Sequence, residues 1–408
     1  MLTRFKDYIT QQHLFSPGEE VLLAVSGGRD SVCMAHLFHQ ASIPFAIAHC
    51  NFHLRPGDCD RDEAFVRQRA HHYGVPCHVT HFDTRAVAAA TGESIEEAAR
   101  RLRYEYFAQL LKQSNNQPIK QSVVATAHHR DDSIETFFLN LFRGTGIAGL
   151  HGIRPVSELR IKNFELKVVR PLLPFSRAEI DAYIEENHLE YVEDSTNSEL
   201  DARRNQIRHR LMPLLRELYP SVDTTMAANI ERLYDTELIY KEFIEKLRSQ
   251  LITPYATQAI RQSGNQTPQI LSLDLSQLLS QHSPALPGTP QYSLLFELLR
   301  PYGFNASTVA DILAATENGK LFYSPTHVAE LHADRLLIAS NVEPAPGRHP
   351  QPGDRIKTKK GTRLLSDYLK DQGFSRIERQ HLLLTVNADG FVELTEDGRP
   401  GRSARDDK

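Results

Sequence analysis

An apolar run, Val21-Leu22-Leu23-Ala24-Val25, passes straight into Ser26-Gly27-Gly28-Arg29-Asp30-Ser31 and then into a stretch with helical apolar spacing, Cys33-Met34-Ala35 with Leu37-Phe38. The run reads as a buried strand and the spacing after the loop as a helix. Two successive glycines let the backbone turn sharply and bring bare N–H groups close to a bound anion. The helix N-terminus adds unsatisfied donors and a partial positive charge. Strand, glycines and helix in this order make a candidate nucleotide-phosphate site of Ser26, Gly27, Gly28, Arg29, Asp30 and Ser31. A Walker P-loop needs G-x4-G-K-[ST], and no lysine occurs here. Ser26 and Ser31 offer hydroxyls, while Asp30 offers a carboxylate for magnesium or for orienting a reacting group. The bland alternative is a Gly-Gly turn whose serine and aspartate only cap a helix.

Strand-like and helix-like segments alternate through the first half. Residues 21–25, 45–48, 75–79, 122–127 and 166–170 read as strands, and 60–73, 94–111, 131–142 and 176–187 as helices. Ser94 and Glu97 have capping-box spacing. The alternation predicts an α/β fold, a doubly wound parallel sheet with right-handed crossovers. Ligands of such sheets bind beyond the carboxyl ends of the strands. From about Pro220 the pattern changes to helical spacing over 227–251, 291–299 and 307–316, which predicts a mainly helical domain. Pro344-Ala345-Pro346-Gly347 and Pro350-Gln351-Pro352-Gly353 mark a linker before a compact basic unit. The expected organisation is a catalytic domain at 1–217, a helical domain at 218–341, a linker at 342–354, a small α+β domain at 355–395 and a disordered tail at 396–408. A chain of 408 residues is too long for one ordinary core.

Cys33, Cys50, Cys59 and Cys77 form no C-x-x-C pair and read as reduced thiols. No apolar stretch approaches bilayer length, and the start, Met1 to Asp7, lacks a signal core, so a cytoplasmic location with no membrane partner is expected. The net charge of −4 does not mark a nucleic-acid binder, so the local distribution of charge has to carry that argument.

Three further polar clusters fall at or just after strand ends. In Ala127-His128-His129-Arg130-Asp131-Asp132-Ser133-Ile134-Glu135-Thr136, Asp132 and Glu135 share a helical face close to its start. With His128 and Asp30 they are the candidate catalytic groups. Acids there also complement the helix dipole without any function. Metal ligation stays open, with magnesium carried by a nucleotide favoured over structural zinc. Both carboxylates are expected to be partly exposed, since unpaired buried carboxylates are costly. Arg143-Gly144-Thr145-Gly146 closes this helix with a glycine cap. His49, Asn51, His53 and Arg55 alternate, so they share one side of an extended chain and read as a pocket wall. Glu193-Asp194-Ser195-Thr196-Asn197 reads as a polar loop. In the basic helix after it, Arg204, Arg208 and His209 share a face suited to phosphates, or simply to solvent.

Taken in order, these segments resemble the tRNA(Ile)-lysidine synthetase family. Its pattern runs S-G-G-x-D-S, H-x-N-H-x-L-R, G-H-x-x-D-D-x-x-E-T, then E-D-x-[ST]-N with a downstream R-N-x-I-R. Here Ala127 replaces the glycine, and one extra residue separates Asn51 from His53. Arg170-Pro171-Leu172-Leu173, Arg100, Arg103 and Tyr104 also look like family positions. Arg100, Arg103 and Arg143 join His49, Asn51, His53 and Arg55 as pocket candidates. The first loop alone marks only the PP-loop, adenine nucleotide alpha hydrolase-like ATP pyrophosphatases. The full resemblance implies that ATP is split to AMP and pyrophosphate to adenylate C2 of the wobble cytidine in the CAU anticodon of tRNA(Ile). Free L-lysine then displaces AMP to give lysidine, which changes decoding from AUG to AUA. It implies Asp132 and Glu135 for the lysine ammonium groups, a carboxylate or His128 as proton acceptor, and Mg2+ held through ATP and Asp30. Arg204, Asn205 and Arg208 are candidate tRNA contacts, as are Lys359, Lys360 and Arg363 within the basic set that also holds Arg348, Arg355 and Lys357. A homodimer remains open. The rivals are another PP-loop enzyme, such as a tRNA thiolase or an amidating synthetase, and a non-catalytic RNA-binding protein.

Overall fold

The computed structural model describes residues 1–54, 58–114, 123–192, 202–255, 270–279, 289–341, 348–358, 361–382 and 384–394. Arg55, Lys359, Lys360, the 193–197 loop, residues 342–347 of the expected linker and the tail lie outside these residues. The chain divides into two compact units, Met1–Glu237 and Leu238–Lys408.

The first unit is built on β1 (Val21–Ala24), β2 (Phe45–Asn51), β3 (Cys77–His81), β4 (Val123–Ala125), β5 (Val156–Ile161) and β6 (Phe164–Val169). They form one sheet in the order β3-β2-β1-β4-β6-β5. All neighbours are parallel except β5 and β6. The expected parallel sheet thus gains an antiparallel edge. β5 escaped the sequence reading because an edge strand carries polar residues, here Ser157, Glu158 and Arg160, that do not form an apolar run.

The helices of this unit are α1 (Leu2–Gln11), α2 (Arg29–Gln40), α3 (Asp58–Tyr73), α4 (Thr84–Thr91), α5 (Ile95–Ser114), α6 (Arg130–Arg143) and α7 (Arg177–Glu186). They bury both faces of the sheet. Val21 and Leu23 pack with Phe5, Phe38 and Ile180, while Leu22 between them packs with Tyr104, Phe107 and Leu111 on the other face. That two-sided burial explains why β1 is a continuous apolar run, each such side chain contributing about 1.5–3 kcal/mol. Serine–glutamate capping boxes start α5 and α7: Ser94 and Glu97 exchange bonds of 3.0 and 3.2 Å, and Ser176 and Glu179 of 2.8 and 3.2 Å. β1 lies between β2 and β4, where the strand order reverses, so the loops after β1 and β4 open onto one crevice.

Beyond α7 come α8 (Ala202–Gln206), a π-helical turn at Ile207–Leu211, α9 (Met212–Leu218) and α10 (Val222–Leu251). Ile134 and Leu139 of α6 pack with Ile207, Met212, Val222 and Ile230, which fixes the basic segment against α6.

The second unit contains the expected helices, here α12 (Pro290–Leu299) and α13 (Ala306–Ala314), after a short α11 (Leu275–Leu279). They cover an antiparallel sheet that the sequence reading did not find, β7-β8-β11-β10-β9, made from Ile252–Pro254, Leu271–Asp274, Arg335–Ser340, His327–His332 and Leu321–Tyr323 respectively. Two of these strands have three residues, and the β10–β11 hairpin turns through Ala333 at φ 54°, without the Asn-Gly or Asp-Gly pair that signals such a turn. A small α+β module follows: β12 (Arg355–Thr358), β13 (Gly361–Leu364), α14 (Leu365–Asp371), α15 (Arg376–His381), β14 (Leu384–Val386) and β15 (Val392–Leu394). Glu330 of β10 is buried and accepts the Arg376 and Ile377 N–H groups at 2.9 and 2.8 Å, seating α15 on the larger sheet.

Candidate active site

Two loops meet at the crevice. In the first, Gly27 turns at φ 94°, a conformation only glycine adopts cheaply. The serines shape this loop. Ser31 Oγ donates to Gly28 O at 2.8 Å and accepts the Gly27 N–H at 3.2 Å, and Ser26 Oγ accepts the Gly28 N–H at 3.3 Å. Arg29 turns its guanidinium away to Asp181 and the Tyr191 hydroxyl, 2.8 Å each, and lies over the Tyr191 ring. Asp30, in the first turn of α2, meets Arg177 Nη1 at 3.1 Å from both carboxylate oxygens. Burial pushes the Asp30 carboxyl up, against the pull of His129 and Arg177.

The second loop ends β4 and opens α6. His129 is the N-cap and is buried; its Nε2 lies 3.9 Å from Asp30 and 3.5 Å from Asp132. Asp132 Oδ2 accepts the His129 N–H at 3.0 Å. Burial opposes ionisation of Asp132, yet His129, His128 and the accepted N–H hold its carboxyl below the usual range. His128 Nδ1 is 3.0 Å from Thr126 Oγ1, and burial pushes the imidazole down to about 4, so it is neutral at pH 7.

Glu135 corrects one expectation. It is 2% exposed, not partly open, and escapes the cost of an unpaired buried charge because two arginines reach it. Arg208 Nε and Nη2 donate to its two oxygens at 2.7 and 2.9 Å, and Arg204 Nε lies 3.2 Å away. Arg208 also touches Asp132 at 3.3 Å, and Arg204 donates to Thr136 at 2.8 Å. The two arginines expected to face phosphates therefore face the two carboxylates expected to face an amine.

The alternation of His49, Asn51 and His53 holds only along β2 itself. His49 is buried and its Nδ1 donates to Val25 O at 2.8 Å, which leaves Nε2 as the acceptor. Asn51 is buried on the same side of β2, bonded to Glu63 at 3.2 Å. His53 leaves the line: after the strand ends it adopts φ 46°, is exposed, and stacks on His81 with ring centroids 5.0 Å apart. Alternation applies only while the chain stays extended. Arg100 lies over Tyr104 and Arg103 over Phe52, while Arg143 is exposed at the far end of α6, where Gly144 caps the helix at φ 79°. Arg170 is buried, donating to Arg154 O and Ser157 Oγ.

His129, Arg177 and Asp131 were missed as site residues. Arg177 bridges Asp30 and Asp181 by its side chain and gives its N–H to Asp131 at 2.9 Å, and Asp131 also pairs with Arg216 at 2.9 Å. The available signals were the position of Arg177 just after a capping serine and the His128-His129 pair at a strand end. In the second unit the basic cluster is partly neutralised: Arg348 pairs with Asp354, Arg363 with Asp371, and Lys357 lies 3.9 Å from Asp389.

A PP-loop domain model matches residues 1–215, and a TilS substrate binding domain model matches 270–341. A tRNA(Ile)-lysidine synthase of Bacteroides thetaiotaomicron is 39% identical over 83% of this chain and 71% of its own length. That of Parabacteroides distasonis is 33% identical over 96% of this chain and 94% of its own. Among solved structures, a U34-tRNA thiolase of Methanococcus maripaludis overlaps 57% of this chain and 78% of its own, at 19% identity and a TM-score of 0.44. With relatives of this identity along most of its length and the phosphate loop set against the α6 carboxylates, the chain belongs to the tRNA(Ile)-lysidine synthase family of PP-loop enzymes.

Proposed function

We infer that this chain joins L-lysine to C2 of the wobble cytidine in the CAU anticodon of tRNA(Ile), with ATP leaving as AMP and pyrophosphate. The observation that carries this reading is the family match along most of the chain. The crevice between the β1 and β4 loops suits such a reaction, because three partners must be held in line there.

The N–H groups of the Ser26–Ser31 loop and the start of α2 would hold the pyrophosphate. Asp30 fits a magnesium ion arriving with ATP, as one carboxylate beside substrate phosphates is the usual protein share of such a site. When bound, that ion would neutralise charge on the phosphates. Asp132 and Glu135 bind the lysine ammonium groups, where a primary amine takes over contacts now made by guanidinium. His128, neutral at pH 7, orients the nucleotide or amine by hydrogen bonding and takes up a proton only when a nearby anion raises its affinity. The reaction fits a cytoplasmic protein, and no helix among the described residues is long and apolar enough to cross a membrane.

The test is lysine incorporation into transcripts that differ only at the wobble base. Incorporation with cytidine and none with uridine supports the reading; labelling of both, or of neither, removes it.

A further inference from the structure

The segment 202–218 presents a second arginine face that the chemistry above does not use. Arg203, Ile207, Arg210 and Leu214 recur at helical spacing, and Arg204 and Arg208 sit one residue on, about 100° around the helix. The π turn at Ile207–Leu211 carries residues of both faces, Arg208 on one and Arg210 on the other, and such turns are often found at functional sites. On the far face Arg203, Arg210, Leu211 and Leu214 meet Leu139, Phe142 and Arg143 of α6 around a groove of about 660 Å³, within the size range of small-ligand sites. Arg143, Arg203 and Arg210 are all exposed, and among the described residues none of them forms an ion pair. Phe142 is 65% exposed and stacks on Phe138, with centroids 5.9 Å apart and planes at 28°.

We propose that this groove is a nucleotide subsite, separate from the catalytic crevice, that takes one unstacked base of the substrate RNA and its flanking phosphates. Single-stranded nucleic acid is held by this combination, aromatic faces on which bases stack beside cations that follow the backbone. An apolar protein partner would fit Phe142 and Leu214 but would leave three arginines without counter-charges. The proposal rests on the reading that the substrate is a tRNA, and it places a second base of the same loop outside the reacting pocket.

The test uses the full chain and an anticodon stem-loop with 2-aminopurine at loop positions other than the wobble base. Binding to the unaltered protein should quench one such position. Phe142→Ala should abolish that quenching and weaken binding about 5- to 100-fold. Arg203→Gln/Arg210→Gln should lower the slope of log affinity against log salt by about 1.4, the share of two single-strand phosphate contacts. Affinity for ATP should stay within twofold in both variants, and their melting temperatures should match the parent. Unchanged affinity, quenching and salt slope would overturn the proposal, as would altered self-association with RNA affinity intact, which would mark the face as a protein interface. If the unaltered protein binds no stem-loop at all, the tRNA reading itself has failed, an outcome distinct from either.

Discussion

The helix α6 and the segment 202–218 meet twice, and the two meetings differ in kind. At the N-terminal end of α6, Asp132 and Glu135 are sunk against Arg204 and Arg208, so nearly every charge has a partner. At its C-terminal end, Arg143, Arg203 and Arg210 stand exposed around Phe142. Desolvated carboxylates keep a cationic partner, and an incoming ammonium can replace a guanidinium there without leaving a buried charge alone. Exposed cations with free rotamers suit a polyanion, whose affinity comes largely from released counterions.

The contrast can be broken in several ways. The largest effect is expected from Asp30→Asn, which should cut AMP formation by more than about 100-fold. Burial raises the Asp30 carboxyl above its unfolded value of 3.8, so the ionised group costs stability at neutral pH and its loss should leave the fold as stable or more so. A variant that melts early but still cleaves ATP would assign Asp30 to the fold instead. Next, Glu135→Gln should cost about 2–3 kcal/mol in urea unfolding, because Arg208 loses a charged partner in a buried site. A double-mutant cycle with Arg208→Gln should return a coupling energy of about 1–3 kcal/mol; additivity would mean that the two side chains do not act as a pair.

Acid should act on the paired end alone. Burial holds His128 near 4, against about 6.5 for a free imidazole, so between these values the unfolded chain binds the extra proton and the native state weakens as pH falls. His128→Gln should lessen the loss of stability between pH 6.5 and 4, leaving the share of the other buried imidazoles, His36, His49 and His151, and an unchanged profile would mean that the His128 imidazole is not buried neutral. The smallest effect belongs to the open end: Arg203→Gln/Arg210→Gln should shift stability by no more than about 0.5 kcal/mol, as for surface changes generally. A larger loss would show that these arginines serve the fold.

Much of this was legible in the sequence. The apolar run before Gly27, the capping boxes at Ser94 and Ser176, and the acids three residues apart on α6 each have a local cause, and local causes leave local patterns. The ion pairs of Glu135 do not. Arg204 and Arg208 follow it by some seventy residues, and only the packing of Ile207 and Met212 on Ile134 and Leu139 turns them toward it. The departure of His53 from its strand depends on Asn51 accepting the His53 N–H at 3.1 Å, and alternation in the sequence does not reveal where a strand stops. The sheet of the second unit was hidden by short strands and by a turn at Ala333.

The most direct test of the central claim follows both products of one reaction. With labelled lysine, labelled ATP and a tRNA(Ile) transcript carrying CAU, one AMP and one pyrophosphate should form for each lysine joined, and none when the wobble cytidine is replaced. ADP and phosphate as products, or lysine joined without nucleotide cleavage, would contradict it.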